Sequence, residues 1–150
     1  RYWRDWSSDV CSSDLEFVLD CSATLPWVFA SEATKASDAL QDTLADGGKA
    51  WVPALWHLEL GNVLLGAKRK GRIDQAGIEK FLSTLDIYDI EVDGETMNVA
   101  WAKTLALAEG FGLTAYDAAY LELALRKGLP LASLDKPLRQ AVRQAGGRII

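Results

Sequence analysis

One hundred and fifty residues suffice for one domain with its own core, and 49% hydrophobic against 25% charged residues excludes a disordered chain. Two cysteines, Cys11 and Cys21, make no disulfide framework and leave a reducing cytoplasm as the default, while apolar runs as short as Leu129-Pro-Leu-Ala132 exclude a membrane helix. A net charge of −5 argues against a surface that grips nucleic acid all round, and a single histidine, His57, argues against a His-rich zinc site or a serine–histidine triad.

In chain order, residues 5–15, DWSSDVCSSDL, come first. They have neither helical nor strand periodicity and lack the cationic start and apolar stretch of a signal peptide. They resemble the in-frame translation of a common sequencing-adapter oligonucleotide. Residues 1–15 are therefore expected to be a non-native, disordered leader carrying Asp9 and Asp14, with a native extension as the alternative, and residues 16–150 the folded domain.

Residues 16–20, Glu-Phe-Val-Leu-Asp, read as a short buried strand ending in Asp20. Helices are predicted over 23–31 and 35–45, closed by Gly47-Gly48. Residues 50–53 make a strand stopped by Pro53, followed by a helix over 55–70. Asp74 caps a helix running to 85, and 87–92 is strand-like. Residues 95–109 form a helix ended by Gly110, and 115–127 another. The chain closes with a strand at 129–133, a helix at 136–144 and a strand at 148–150. Short apolar strands alternating with helices predict an α/β fold: a central parallel sheet flanked by helices on both faces.

Four carboxylates fall in telling places. Ligands of open α/β sheets sit beyond the carboxyl ends of the strands, where Asp20 and Asp135 lie. Asp117 is in the first turn of the 115–127 helix. Glu59 lies inside a helix, with Trp56 at i−3 and Val63 at i+4, on or beside the apolar stripe. Each has a plainer reading. Asp20 and Asp135 suit N-caps, Thr114-Ala-Tyr-Asp117 suits a capping box, and Glu59 suits a snorkelling edge residue. Jointly, carboxylates at one edge repel each other unless a cation neutralises them, and oxygen-only ligands suit Mg²⁺ or Mn²⁺.

Read together, these residues are similar to the PIN-domain ribonucleases, most closely the toxins of VapBC-type toxin–antitoxin pairs. The resemblance rests on Asp20-Cys21-Ser22 after the first strand and on Pro53 followed by Glu59 and Asn62. It extends through Leu113-Thr114-Ala-Tyr116-Asp117-Ala118 and Leu131-Ala-Ser133-Leu-Asp135. Each motif alone is weak, but the ordered set spans nearly all the chain after the leader. Ser133 stands where threonine is common, and Cys21 replaces a small residue. The resemblance implies a single-domain, Mg²⁺-dependent endoribonuclease, neutralised by a small antitoxin and commonly a homodimer. On that reading Asp20, Glu59 and Asp117 hold the principal ion, and Asp135 completes the site or holds a second ion. Ser22, Asn62, Thr114 and Ser133 orient the carboxylates. RNA approach would use Lys68, Arg69, Lys70 and Arg72, or Lys136, Arg139 and Arg143. A non-catalytic RNA- or protein-binding module on the same fold is the alternative, and Mg²⁺-dependent cleavage separates the two.

His57 points away from Glu59 and reads as a packing or surface residue. Trp27, Trp51, Trp56 and Trp101 read as core or interface residues, and Trp27, Val28 and Phe29 as part of a partner surface.

Overall fold

Strand pairing is parallel throughout and sets the order β3-β2-β1-β4 in a computed structural model that describes residues 14–150. The strands are β1 (Glu16–Leu19), β2 (Lys49–Val52), β3 (Asp89–Val92) and β4 (Leu131–Ala132). Phe17, Val18 and Leu19 of the central strand are all fully buried. Consecutive apolar residues point to opposite faces, so burial of all three requires cover on both sides of the sheet. The expected α/β architecture, parallel with helices on both faces, is thus observed.

The helices are α1 (Cys21–Val28), α2 (Lys35–Ala45), α3 (Trp56–Arg69) and α4 (Gln75–Leu85). Then come α5, running through Thr96–Val99, Ala100–Thr104 and Leu105–Phe111, α6 (Ala115–Lys127) and α7 (Lys136–Gln144). The middle piece of α5 is a π-helical turn, which re-aims the side chains that follow it.

Several boundaries moved for local reasons. α1 begins at Cys21, directly after β1, and gives way at Phe29 to a 3₁₀ turn, Ala30–Glu32. α5 passes through Gly110 and ends at Gly112, whose φ of +66° supplies the left-handed C-cap. β4 is shorter than its apolar run, because Leu129 N–H closes the end of α6 on Ala124 O and Pro130 has no N–H to donate. β3 starts late because Ile87 and Tyr88 N–H groups are spent on closing α4. The expected strand at 148–150 is a single bridge, Leu131↔Ile149.

Pairing starts at Leu15, whose carbonyl accepts Lys49 N–H at 2.9 Å, one residue before the expected boundary. Asp14 is exposed at the amino end of β1, opposite the edge that carries Asp20. The expected leader, residues 1–15 with its adapter-like stretch 5–15, lies outside the described residues as far as residue 13, and Asp9 and Cys11 with it.

The tryptophans divide. Trp56 is core, and Trp27 is half-buried, donating to Ser37 O and meeting Tyr88 edge-on. Trp51 is half-buried, with the ammonium groups of Lys49 and Lys127 4.7 and 3.5 Å from its ring centroid. Trp101 is 92% exposed, so the core half of its expectation is wrong. Phe29 was expected on a partner surface, yet it is buried with the Arg72 guanidinium over its ring. His57 is exposed, its ring edge-on to Trp56. Among the described residues no helix is long and apolar enough to cross a membrane.

Candidate active site

The chain leaves β1 toward β2 on one side and returns through β4 on the other. The carboxyl ends of β1 and β4 thus flank a topological switch point, where open α/β sheets form their crevice. Asp20 N–H continues the ladder to Ala132 O at 2.9 Å, so the backbone of Asp20 is fixed by the sheet itself.

Asp20 occupies the N-cap position of α1 but makes no side-chain cap bond, which overrides its plainer reading. Its Oδ2 instead accepts from Ser22 Oγ and Ser133 Oγ, both at 2.6 Å. Each serine is oriented in turn from the far side: Leu134 N–H donates to Ser22 Oγ and Asp135 N–H to Ser133 Oγ. Both hydroxyl protons are therefore directed at one carboxylate oxygen, leaving Oδ1 outside these bonds. Burial pushes the Asp20 carboxyl above its ordinary pKa, the two serines pull against the rise, and the Asp135 charge adds to it.

Glu59 sits in the first turn of α3, half-buried, with Tyr120 Oη donating to its Oε1 at 2.5 Å. Burial raises its pKa, Tyr120 opposes, and the charges of Asp20 and Asp117 push it further up. Tyr120 is fully buried on α6, and burial together with Glu59 holds its hydroxyl far above the ordinary tyrosine range, so it stays a donor. Tyr120 was missed from the sequence. The signal was present, because it lies three residues after Asp117 and so on the same helix face.

Thr114 caps α6 by accepting from Asp117 N–H at 3.1 Å. This is half of the expected capping box, since the Asp117 carboxylate does not return the bond to the Thr114 backbone. Burial raises the Asp117 pKa, with Asp135 and then Asp20 adding to it and the Thr114 hydroxyl opposing. Asp135 does cap α7, Oδ2 accepting Leu138 N–H at 3.3 Å, so its plainer reading holds for one oxygen. Asn62 is exposed and has no hydrogen bond to any of the four acids among the described residues.

Four separate elements thus bring Asp20, Glu59, Asp117 and Asp135 within each other's fields. Among the described residues no three His, Cys, Asp or Glu side chains are drawn together as a ready metal cage. The donor set still fits a hard divalent cation: it is oxygen-only and partly desolvated, and burial and then neighbouring carboxylates raise the pKa of Asp20, Glu59 and Asp117, which an added positive charge relieves. Cys21 does not compete as a ligand or nucleophile, because burial and then Asp20 and Glu59 push its thiol up to about 12.

The expected basic residues are partly committed elsewhere. Arg139 donates to Ser133 O and Ile150 O, and Arg72 pairs with Glu32. Lys68 donates to Gln75. A second polar cluster was missed. Asp93 follows β3 and is met by Arg126 with two hydrogen bonds of 3.0 and 2.6 Å, while Arg126 also holds Glu122. Asp93 and Glu122 are both buried.

Among solved structures, the chain is similar to PAE2754 from Pyrobaculum aerophilum at 26% identity and a TM-score of 0.63, covering 85% of this chain and 86% of that one. It is also similar to VapBC2 from Rickettsia felis bound to a DNA fragment from its promoter, at 14% identity and a TM-score of 0.59, covering 91% and 98%. No curated protein matches. The family described as PIN domain matches residues 17–143, from β1 into α7 and across all four acids, and PIN domains are generally nucleases. This chain belongs to the PIN-domain family.

Proposed function

We propose that this chain is a Mg²⁺-dependent endoribonuclease, with Mn²⁺ an acceptable substitute, and the toxin of a toxin–antitoxin pair. The observation that carries this reading is the convergence of four acids from separate elements at the switch point of a PIN fold, where burial and then neighbouring carboxylates raise the pKa of Asp20, Glu59 and Asp117. Asp20, Glu59 and Asp117 would hold the principal ion, and Asp135 would complete the site or hold a second. A bound Mg²⁺ would supply positive charge against the scissile phosphate and acidify a water for attack on phosphorus. The protein's own part is positioning. Ser22 and Ser133 hold Asp20 and favour its ionised form, Tyr120 holds Glu59, and Thr114 fixes the first turn of α6, which carries Asp117, by accepting the Asp117 backbone N–H.

The partners follow from surface. A groove of about 490 Å³ between α3 and α4, lined by Leu60, Leu64, Ile78, Leu82 and Leu85, suits an apolar antitoxin segment. Met97, Trp101 and Leu105 recur every four residues along α5 and are all exposed, which suits a second copy of the chain. An RNA substrate and such an antitoxin would both be met in the cytoplasm.

The decisive assay incubates the chain with structured RNA, with and without Mg²⁺. Cleavage that chelation abolishes supports the reading. RNA binding without cleavage returns the non-catalytic module. A second expectation concerns pH. Carboxyls raised in the fold are neutral there more readily than in the unfolded chain, so ionising them costs stability. That cost is absent below the unfolded pKa, grows as pH rises toward the folded value and is full above it. Mg²⁺ needs the ionised form. At 100 times its Kd it should add about 2.7 kcal/mol, or roughly 5–10 °C in Tm, at about pH 7.5 and almost nothing at about pH 4. Thermal melts across that range give the answer, and equal shifts at both ends would reject a carboxylate site.

Ser133→Ala should also be informative. It removes one of two hydroxyls that hold Asp20, and groups that orient metal ligands typically account for 10–100-fold in affinity or activity, so a loss of about that size is expected in a Mg²⁺ titration of cleavage. An unchanged titration would make Ser133 a local cap only.

A further inference from the structure

Three of the four acids are each preceded by a large apolar side chain standing in water. Leu58 precedes Glu59, Tyr116 precedes Asp117 and Leu134 precedes Asp135, at 77, 67 and 56% exposure. Scattered surface leucines need no account, but each of these three stands next in the chain to an acid of the candidate site, and together they are called its rim. A ligand that suits both carries an anionic group for the centre and an apolar body for the rim.

Tyr116 is distinct within this rim. It lies four residues before Tyr120 and so on the same face of α6, one turn or about 5.4 Å nearer the helix end. Tyr120 is fully buried and holds Glu59, while Tyr116, one turn on, is 67% exposed. α6 opens at the edge where the acids sit, because Thr114 and Asp117 form its first turn. Among the described residues the Tyr116 hydroxyl has no hydrogen-bond partner and its ring no aromatic or cationic one. It is the one member of the rim with a π-face, and the fold makes no use of that face.

We infer that Tyr116 is a base-stacking residue for single-stranded RNA, taking the nucleobase next to the phosphate that the four acids address. The inference rests on the nuclease reading above. A base is tethered to its phosphate by one sugar, so a phosphate held at the acids brings a base to the rim. Every base has a π-face, and stacking on an aromatic side chain is tolerant of sequence. A base inside a duplex is already stacked and unavailable, so the site selects unpaired nucleotides in loops, bulges or ends. Leu58 and Leu134 contribute apolar cover and no stacking.

The test uses the full chain with Mg²⁺ and an RNA oligonucleotide that it cuts, intact or with an abasic residue on either side of the cleaved bond. Tyr116→Ala should raise KM by about 5- to 150-fold with kcat little changed, the range that one stacked base accounts for. Tyr116→Phe, which keeps the ring, should restore the low KM, and Tyr116→Leu, which keeps apolar area without it, should not. The abasic residue on the stacked side should cost the wild type the same factor and cost Tyr116→Ala nothing more. A KM indifferent to Tyr116→Ala, a Leu variant as good as Phe, or an abasic penalty equal in both proteins overturns the inference. So does a Tyr116→Ala effect confined to binding of a protein partner. Oligonucleotide binding is followed by anisotropy in the same samples. Tyr116-dependent binding without cutting keeps the inference and removes the nuclease reading, while a chain that neither binds nor cuts loses both.

Discussion

Asp20→Asn is expected to lower Mg²⁺-dependent RNA cleavage by about 10³-fold while leaving the fold intact or slightly more stable. A cation at a reacting phosphate supplies several kcal/mol of charge stabilisation, and each 1.36 kcal/mol is tenfold in rate, which sets the size of the loss. The stability expectation has an independent origin. Asp20 is 6% exposed and its pKa is raised, so its ionised form costs the folded state near neutral pH. Asparagine removes that charge and keeps an oxygen to accept from Ser22 and Ser133. The pairing of lost activity with retained or increased Tm separates a functional carboxylate from a structural one. Full cleavage in Asp20→Asn, measured against a Mg²⁺-free blank, would reject the assignment of this acid.

Arg126→Ala should have the largest effect on stability, a loss of about 3–5 kcal/mol, because it strands two buried carboxylates without their counter-ion. Asp93 is 4% exposed and Glu122 3%, and Arg126 bonds to both. For a domain of this length that corresponds to a fall in Tm of roughly 10 °C. The comparison that makes it diagnostic is the triple replacement of Asp93, Glu122 and Arg126 by apolar residues of similar volume, which should recover most of the loss. The pH dependence runs opposite to that of the acidic mouth. Burial would raise the Asp93 pKa, but the Arg126 hydrogen bonds and charge outweigh it and hold it below its ordinary value. Its contribution is therefore present above the unfolded pKa and is lost as pH falls through the folded one. Denaturant melts of Arg126→Ala that match the wild type would show the cluster to be energetically neutral.

The alternation of short apolar strands with capped helices was readable residue by residue, because burial on two faces demands uninterrupted runs such as Phe17-Val-Leu19. Caps were readable too. Thr114 and Asp74 cap their helices as their positions suggested. Boundaries failed where one backbone group had two possible uses. Leu129 N–H could join β4 or close α6, and it closes α6. Gly110 and Gly112 could each have ended α5, and the left-handed turn falls at the second.

The site divides along the same line. Local pattern was enough to single out four acids as candidates, because each sits at a strand end, in a helix's first turn or against an apolar stripe, and those are positions a linear pattern specifies. It was not enough to say which were caps, since a capping bond is a choice between local and distant partners. Asp135 takes the local bond, while Asp20 declines it for Ser133, 113 residues away. Tyr120 on Glu59 and Arg126 on Asp93 are likewise pairs of distant residues, joined at 61 and 33 positions of separation. Burial removes water as an alternative partner, so such groups take whichever donor the packing of α6 against the sheet delivers. Composition and periodicity carry no information about that delivery. It arises when the strand order 3-2-1-4 folds the chain back on its first strand.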